Sequence, residues 1–177
     1  MSTFLPTSVI EEISKEASSA GRYINPSKLT GEVRLRFLGT GITGFESWTT
    51  DNKPIRWETK PEELPANVRK QEGYQPIKRF LAGAVYDYAS DEFKILQITQ
   101  RTLMDQLFKY MADEDYGDPN AYDIKIGKTG EGKETKYTLV PSPPKPLKSS
   151  IKERFDETPC DLNLLFEGGD PFAEPSA

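Results

Sequence analysis

The sequence predicts a mainly β protein of the α+β class, with one helix before its last two strands. Three observations support this prediction. Apolar and polar residues alternate with a period of two in 31–39, and strand-like runs follow in 77–88 and 93–99. Residues 100–115 then carry a single apolar stripe at helical spacing. Finally, 122–141 reads as two short strands joined by a glycine-rich, lysine-rich tip, which indicates a hairpin.

The first third of the chain predicts a helix and two strand regions. Val9, Ile10 and Ile13 have helical spacing within 8–20, and Gly21 ends that short helix. In the first strand Val33, Leu35 and Phe37 alternate with charged residues. The next two features follow from turn residues: a flexible turn at Gly39, Gly41 and Gly44, and a strand region over 45–59 interrupted at 51–54. Residues 61–76 contain three prolines and are predicted to form a long loop.

The middle of the chain supplies most of the predicted core. Leu103, Leu107, Tyr110 and Met111 form one helix face and are expected to pack inside. Three phenylalanines are also assigned to the core: Phe37, Phe93 and Phe108. In the hairpin, four residues are placed to face inward: Ile124, Ile126, Tyr137 and Leu139. Lys125 and Lys136 then fall on the opposite face of the hairpin.

The C-terminal part differs in composition from the rest. Residues 141–150 are rich in proline and predict a stiff linker. Residues 151–177 contain seven acids and two bases, so the whole net charge of −5 lies there and the preceding 150 residues are neutral. This acidic region lacks a regular apolar pattern and is predicted to be a disordered tail. The predicted organisation is an N-terminal helix and arm (1–30), one domain (31–140), the linker (141–150) and the tail (151–177).

The order of these elements resembles that of an OB-fold. That fold is a small five-stranded barrel, here expected to carry its helix between the third and fourth strands, before the closing hairpin. An open sheet capped by the helix is the alternative that the same order allows. The five strands would come from 31–140, with the 45–59 region as part of a long bent strand.

Composition restricts the chemistry that the chain can perform. It contains no histidine and one cysteine, Cys160, which removes the commonest general base and any zinc site built from those residues. GTGITG at 39–44 lacks the lysine and spacing of a phosphate-binding loop. We therefore expect neither catalysis nor a metal or other cofactor. The start of the chain does not resemble a secretory signal, and no apolar run approaches the ~20 residues of a membrane span, so we expect a cytoplasmic protein, in the host cell if it is viral, with no membrane partner.

Aromatic and basic residues are interleaved along the body, and this mixture is typical of proteins that bind single-stranded nucleic acid. Cations follow the phosphates while flat side chains stack on unpaired bases, at about 1–3 kcal/mol per base. The candidate binding residues are Arg34, Arg36, Trp48, Arg56, Trp57, Lys78, Arg79, Phe80, Tyr86, Tyr88, Lys125, Lys128, Lys133, Lys136 and Tyr137. Tyrosine and tryptophan are also common in β-sheet cores. Whether the face of Phe80, Tyr86 and Tyr88 is buried stays open, and Trp48 and Trp57 are the stronger stacking candidates.

Segments spread over 31–147 resemble single-stranded DNA-binding proteins of tailed phages and prophages. The resemblance rests on I-x-Q-x-T at 95–99, G-D-P at 117–119, Y-D-I-K-I at 122–126, the glycines of the hairpin, and Tyr137 with Pro141. Upstream, R-F-L at 36–38, Gly41, Gly44 and Trp48 match the opening of the family pattern. The resemblance implies an OB-like core, binding of single-stranded DNA with little sequence preference, and a role in phage DNA replication, recombination or repair.

Three further hypotheses accompany this one. The acidic tail is expected either to occupy the basic groove when DNA is absent, as an autoinhibitory device, or to dock replication or recombination proteins. The alternative function is a protein-interaction module of a replication or virion assembly that does not bind DNA directly. A carboxylate-based nuclease is the third reading, and it predicts degradation of an oligonucleotide on addition of Mg²⁺.

Overall fold

The computed structural model describes residues 6–9, 22–69 and 76–173. Within them a mixed sheet contains seven strands: β1 (Tyr23–Ile24), β2 (Glu32–Trp48), β3 (Pro54–Trp57), β4 (Lys78–Asp87), β5 (Glu92–Ile98), β6 (Asp123–Thr129) and β7 (Lys136–Pro141). Two helices accompany the sheet, α1 (Arg101–Met111) and α2 (Ser149–Asp156). Four short 3₁₀ turns complete the fold: Pro26–Lys28, Pro119–Ala121, Gly132–Glu134 and Leu162–Glu167. The mainly β prediction is confirmed, whereas most of the predicted N-terminal helix lies outside the described residues.

The sheet is curled and open. Its strands lie in the order β1-β5-β4-β2-β6-β7, with β3 paired to β2. The β1–β5 pair is parallel and the other pairs are antiparallel. No ladder joins β5 to β7 in the described residues. Residues 22–31 run between the two sides instead, because Arg22 accepts a backbone hydrogen bond from Ile95 and Gly31 accepts one from Lys128. Of the two architectures that the sequence allows, the structure therefore has an open sheet.

Strand β2 is long and bent, and it organises the rest of the sheet. Its first part pairs with β6 and its last part with β3, while β4 runs along its other edge. The register with β4 shifts between Leu38 and Ile42. The predicted flexible turn at Gly39, Gly41 and Gly44 is wrong, because these residues lie inside the strand. Gly39 has a φ of 66°, and a Cβ on Gly41 would approach the Ala82 carbonyl oxygen to 3.0 Å, so the glycines permit an irregularity and not a turn.

One face of the sheet packs against α1. The core on this side includes Leu35, Val85, Leu96, Ile124 and Ile126, with Leu103 and Leu107 from the helix. The prediction that Ile124, Ile126 and Leu139 face inward is confirmed, and Tyr137 packs partly against the same core. Phe37 also belongs to it, and Phe93 to the core on the other face. The prediction for Phe108 and Met111 is wrong: they are 43% and 46% exposed, since they lie on the solvent side of α1 near its end.

The opposite face of the sheet lies under the C-terminal segment, residues 149–173. Helix α2 contributes Ile151, and the following chain contributes Leu162, Leu165 and Phe172. These side chains pack against Phe80, Ala82, Ala84 and Ile95 of the sheet. The prediction of a disordered tail is therefore wrong for these residues. The segment is acidic overall and has few apolar side chains, so its composition predicts disorder. These apolar side chains are nevertheless buried, because they pack against an apolar face of the sheet.

No helix among the described residues is both long and apolar enough to cross a bilayer.

Candidate nucleic-acid interface

Three partly exposed side chains form a row across adjacent strands. Trp57 of β3 lies directly opposite Phe45 of β2, and Phe45 lies directly opposite Arg79 of β4. The Arg79 guanidinium sits over the Phe45 ring, 4.4 Å from its centroid. Because directly opposed residues project from the same face of a sheet, the three side chains form one continuous surface. We call this surface the aromatic row.

The aromatic row lies outside both apolar cores of the described residues. Neither Phe45 nor Trp57 belongs to the two apolar cores or packs against them in the described part of the chain. Arg79 is exposed, and within the same residues it makes no ion pair. An exposed guanidinium beside two flat rings can contact a phosphate, and the rings can stack on unpaired bases. Trp57 and Arg79 were predicted from the sequence and Phe45 was not, because its position opposite both residues follows only from the strand register.

A second concave feature surrounds Trp48. The Trp48 pocket has a volume of about 320 Å³, close to the lower limit for ligand pockets. Its lining residues come from distant parts of the chain: Asn25, Ser27, Glu46, Trp48, Lys78, Thr99, Gln100 and Tyr137. The pocket therefore assembles three predicted binding residues, Trp48, Lys78 and Tyr137, that are far apart in the sequence. Lys128 reaches its rim, because its Nζ donates a hydrogen bond to the Ser27 carbonyl at 2.6 Å.

Arg34 and Arg36 converge on one buried carboxylate. Asp123 is fully buried, and it accepts hydrogen bonds from Arg36 Nε at 2.7 Å and from Arg34 Nη2 at 2.6 Å. Arg36 is itself buried and also donates to the carbonyl oxygens of Asn120 and Lys145 at 3.0 Å. It is thus committed to holding β2, the Pro119–Ala121 turn and the proline-rich linker together. Arg34 remains partly exposed, with its guanidinium 5.2 Å from the centroid of the Tyr88 ring.

The electrostatics of this cluster favour the ionised carboxylate. Burial raises the pKa of Asp123, but hydrogen bonds from Tyr88, Arg36 and Arg34 outweigh burial and hold that pKa below its ordinary value. Burial and the hydrogen bond to Asp123 raise the pKa of Tyr88 to about 12, so its hydroxyl stays protonated at neutral pH. Two guanidinium groups share one carboxylate, which leaves net positive charge on this face beside the half-buried Lys125.

Several other predicted binding residues are built into the fold. Arg56 is largely buried, pairs with Glu46 at 2.9 Å and donates to Gln97. Phe80 and Tyr86 are buried under the C-terminal segment, and Tyr88 packs partly against the same core. The face of the sheet that carries Phe80, Tyr86 and Tyr88 is therefore the buried one, which the sequence left open. Arg36, Arg56, Phe80 and Tyr86 contribute to the site by positioning the strands and are not accessible to a ligand.

The hairpin between β6 and β7 is less basic than its lysines suggest. Lys133 and Lys136 are exposed near its tip, but Glu131 and Glu134 lie in the same turn. Gly130 has a φ of 77° there, and a Cβ would come within 2.2 Å of the Glu134 carbonyl oxygen, so the tight turn requires glycine. The hairpin therefore presents a tip of mixed charge. Lys125, farther from the tip on β6, makes no ion pair among the described residues.

An apolar groove near the end of α1 was not anticipated from the sequence. It has a volume of about 550 Å³ and is lined by the irregular part of β2, the Gly117–Asn120 turn, and the exposed side chains of Phe108 and Met111. The sequence assigned both α1 side chains to the core, since a helix stripe does not reveal where the sheet beneath it ends.

Within the described residues no group of three or more cysteine or acidic side chains is placed to hold a metal ion. Comparison of the chain with family models, curated proteins and solved structures finds no match.

Proposed function

We propose that this protein binds single-stranded DNA with little sequence preference and acts in phage DNA replication, recombination or repair. The observation that carries the proposal is the aromatic row, where two partly exposed rings and an exposed guanidinium lie side by side outside both cores of the described residues. Stacking on rings accepts any base, because every base has a π-face. The aromatic row offers mainly flat rings for stacking, and it is therefore suited to binding single strands of any base sequence.

The strand connectivity supports the proposal. When β2, β4, β5, β6 and β7 are taken as the five strands of an OB-like fold, α1 lies between the third and the fourth. In such folds the loops after the first and fourth strands border the oligonucleotide. Here the first of these connections contains β3 with Trp57, and the second is the hairpin tip with Lys133. The position of Trp57 and Lys133 in these two connections supports the proposal.

In this proposal the acidic C-terminal segment acts as a cover. It lies over Phe80, packs its own Phe166 against that ring at a centroid distance of 6.0 Å, and keeps the face of β4 and β5 away from nucleic acid. Masking by this packed segment would therefore restrict access to the face opposite the aromatic row and not to the row itself. The exposed carboxylates of the segment are the surface that would dock replication or recombination proteins.

The test is a titration of the full chain with a fluorescently labelled single-stranded oligonucleotide at two salt concentrations. We expect quenching of tryptophan emission, and an affinity that falls with salt at a log–log slope of about −0.7 per phosphate contact. Trp57→Ala and Phe45→Ala should each weaken binding by about 1–3 kcal/mol, whereas Phe108→Ala, an exposed aromatic outside the row, should not. Titrations with duplex DNA and with single-stranded RNA of equal length measure the preference for single-stranded DNA. Absence of binding to the single-stranded DNA at low salt would refute the proposal.

A protein-interaction module is the second candidate, favoured by the apolar groove beside Phe108 and Met111. It predicts no quenching by any oligonucleotide and capture of a defined replication or virion protein that Phe108→Ala abolishes. Cleavage of the oligonucleotide when Mg²⁺ is added would support a nuclease instead.

A further inference from the structure

We propose that the Trp48 pocket is a second nucleobase site, separate from the aromatic row and on the opposite face of the same three strands. The inference rests on the proposed function, because it assigns to this pocket a base of the same single strand. It goes further by dividing the interface into two sites that bind independently.

The two tryptophans point away from each other. Trp57 pairs with Phe45 and Trp48 pairs with Pro54 in the same antiparallel ladder. Phe45 and Trp48 are three residues apart along β2, and successive side chains of a strand alternate between faces. Glu46, on the Trp48 side, hydrogen-bonds Gln97 and Arg56, which also marks that face as the one under the C-terminal segment. One surface therefore cannot present both tryptophans to a single base stack.

The Trp48 pocket has the chemistry of a base site. Trp48 and Tyr137 supply two partly exposed rings to its lining. Asn25 Oδ1 accepts from the backbone and hydroxyl of Ser27, and Gln100 Oε1 accepts from the Thr99 N–H at 3.2 Å. The amide nitrogens of Asn25 and Gln100 have no hydrogen-bond partner within the described residues. They are consequently available as donors to the ring nitrogens and carbonyl oxygens of a base.

The charges around the pocket are compatible with a nucleotide. Glu46 contributes the one carboxylate of the lining, and its charge is compensated by Arg56 at 2.9 Å. Lys78 lines the same pocket, and Lys128 reaches the rim at Ser27. In the described part of the chain, the phosphate next to a bound base would therefore lie near the Lys128 ammonium group, and the carboxylate of the lining is already paired. A volume of about 320 Å³ is sufficient for one base.

Two sites on opposite faces have a consequence for stoichiometry. A short oligonucleotide occupies one site and leaves the other free, so two copies bind to each chain. A long strand reaches both sites only by passing round the edge of the strands that separate them, and then one copy suffices. Position on opposite faces thus predicts a change from two ligands per chain to one as the strand lengthens.

The experiment uses the fact that the chain has two tryptophans, one in each site. Trp57→Phe leaves Trp48 as the sole reporter, and Trp48→Phe leaves Trp57. Each full-length variant is titrated with a thymidine trinucleotide and, as the control, with an abasic trinucleotide that has the same backbone. We expect the trinucleotide to quench both reporters and the abasic control to quench neither.

Substitutions in the pocket separate the two sites further. In the Trp57→Phe background, Tyr137→Ala should weaken the affinity that Trp48 reports by about fivefold to 100-fold, and Gln100→Ala should weaken it by about twofold to tenfold. In the Trp48→Phe background, the same substitutions should leave the Trp57 response unchanged. Gln100→Ala keeps the test valid if Tyr137→Ala fails to fold, because Tyr137 also packs partly against the core beneath α1.

The outcomes distinguish this inference from the proposed function. Quenching of Trp57 without any response of Trp48 would overturn the second site and leave the aromatic row intact. Quenching of Trp48 by the abasic control would also overturn it, since a phosphate alone would then suffice. Silence of both reporters would refute the proposed function itself, and a response of Trp48 that only the base-containing ligand elicits would establish the pocket.

Discussion

The side chain of Gln106 on α1 hydrogen-bonds the backbone of Leu139 on β7, with Gln106 Oε1 accepting from the Leu139 N–H at 2.8 Å. The amide nitrogen of the same side chain donates to the Tyr137 carbonyl oxygen at 3.1 Å. β7 pairs with β6 along one edge and has no strand on the other in the described residues. A single glutamine therefore takes the place of a neighbouring strand at the open side of the sheet, satisfying backbone groups that would otherwise be buried without partners.

Removal of this side chain should destabilise the closing strand. Gln106→Ala leaves the Leu139 N–H and the Tyr137 carbonyl unpaired, and we expect a cost of about 1–3 kcal/mol in the free energy of unfolding. Urea denaturation measures that cost, and amide hydrogen exchange should show reduced protection at Leu139. Lys109→Ala, an exposed substitution on the same helix, is the matched control. Unchanged exchange at Leu139 in the Gln106 variant would contradict the role assigned to the amide.

The Asp123 cluster predicts a pH-dependent stability. The folded-state pKa of Asp123 lies below its unfolded value of about 3.9, so its stabilisation is complete above roughly pH 4 and is lost as pH falls through the folded-state pKa. Asp123→Asn leaves Arg36 buried without its partner and should cost about 3–5 kcal/mol at neutral pH. The difference from the natural chain should shrink in acid.

The control for this prediction is Asp105→Asn. Asp105 pairs with Arg101 on the exposed side of α1, at 2.9 Å, and its removal should cost at most about 1 kcal/mol. Urea titrations of the three proteins from neutral to strongly acidic pH measure both effects. A penalty for Asp123→Asn that does not change with pH would show that the carboxylate is not responsible.

The C-terminal segment should behave as part of the folded core. Leu165 is 2% exposed, and Leu165→Ala should cost about 2–5 kcal/mol in the free energy of unfolding. Leu164→Ala, at the adjacent and only partly buried position, should cost less. Deletion of 149–177 should expose Phe80, Ala82 and Ile95 and reduce both solubility and the unfolding midpoint. If the truncated chain unfolds at the same midpoint, the segment is a dispensable tail.

Arg79 should govern the salt dependence of binding. Arg79→Ala removes one exposed guanidinium, without an ion pair among the described residues, from the aromatic row, and the log–log slope of affinity against salt should become shallower by about 0.7. Arg101→Ala removes an arginine that already pairs with Asp105 on α1 and should leave the slope unchanged. Fluorescence anisotropy with one labelled oligonucleotide at several salt concentrations measures both. Equal slopes for the two variants would show that Arg79 does not contact the phosphates of the oligonucleotide.

Local sequence patterns were sufficient to predict an element where the burial of its residues follows from their spacing along the chain. The alternation of Val33 and Leu35 predicted a strand with one apolar face, and the spacing of Leu103 and Leu107 predicted the helix that covers it. The residues of the candidate site could be predicted less well from such patterns. Phe37 and Phe45 occupy the same face of β2, yet Phe37 is buried in the core against which α1 packs, while Phe45 lies outside both cores and beside Arg79.

By itself the sequence determined the mainly β character, the helix before the closing hairpin and the concentration of acids at the C-terminus. These follow from composition and from periods of two and 3.6 residues, which are properties of short segments. Only the tertiary structure decided which aromatic side chains stay exposed, that Trp48 and Trp57 face opposite ways, and that residues 149–173 pack on the sheet. Those outcomes depend on strand register and on contacts between residues distant in the chain, such as Phe80 with Phe166, and no local pattern encodes them.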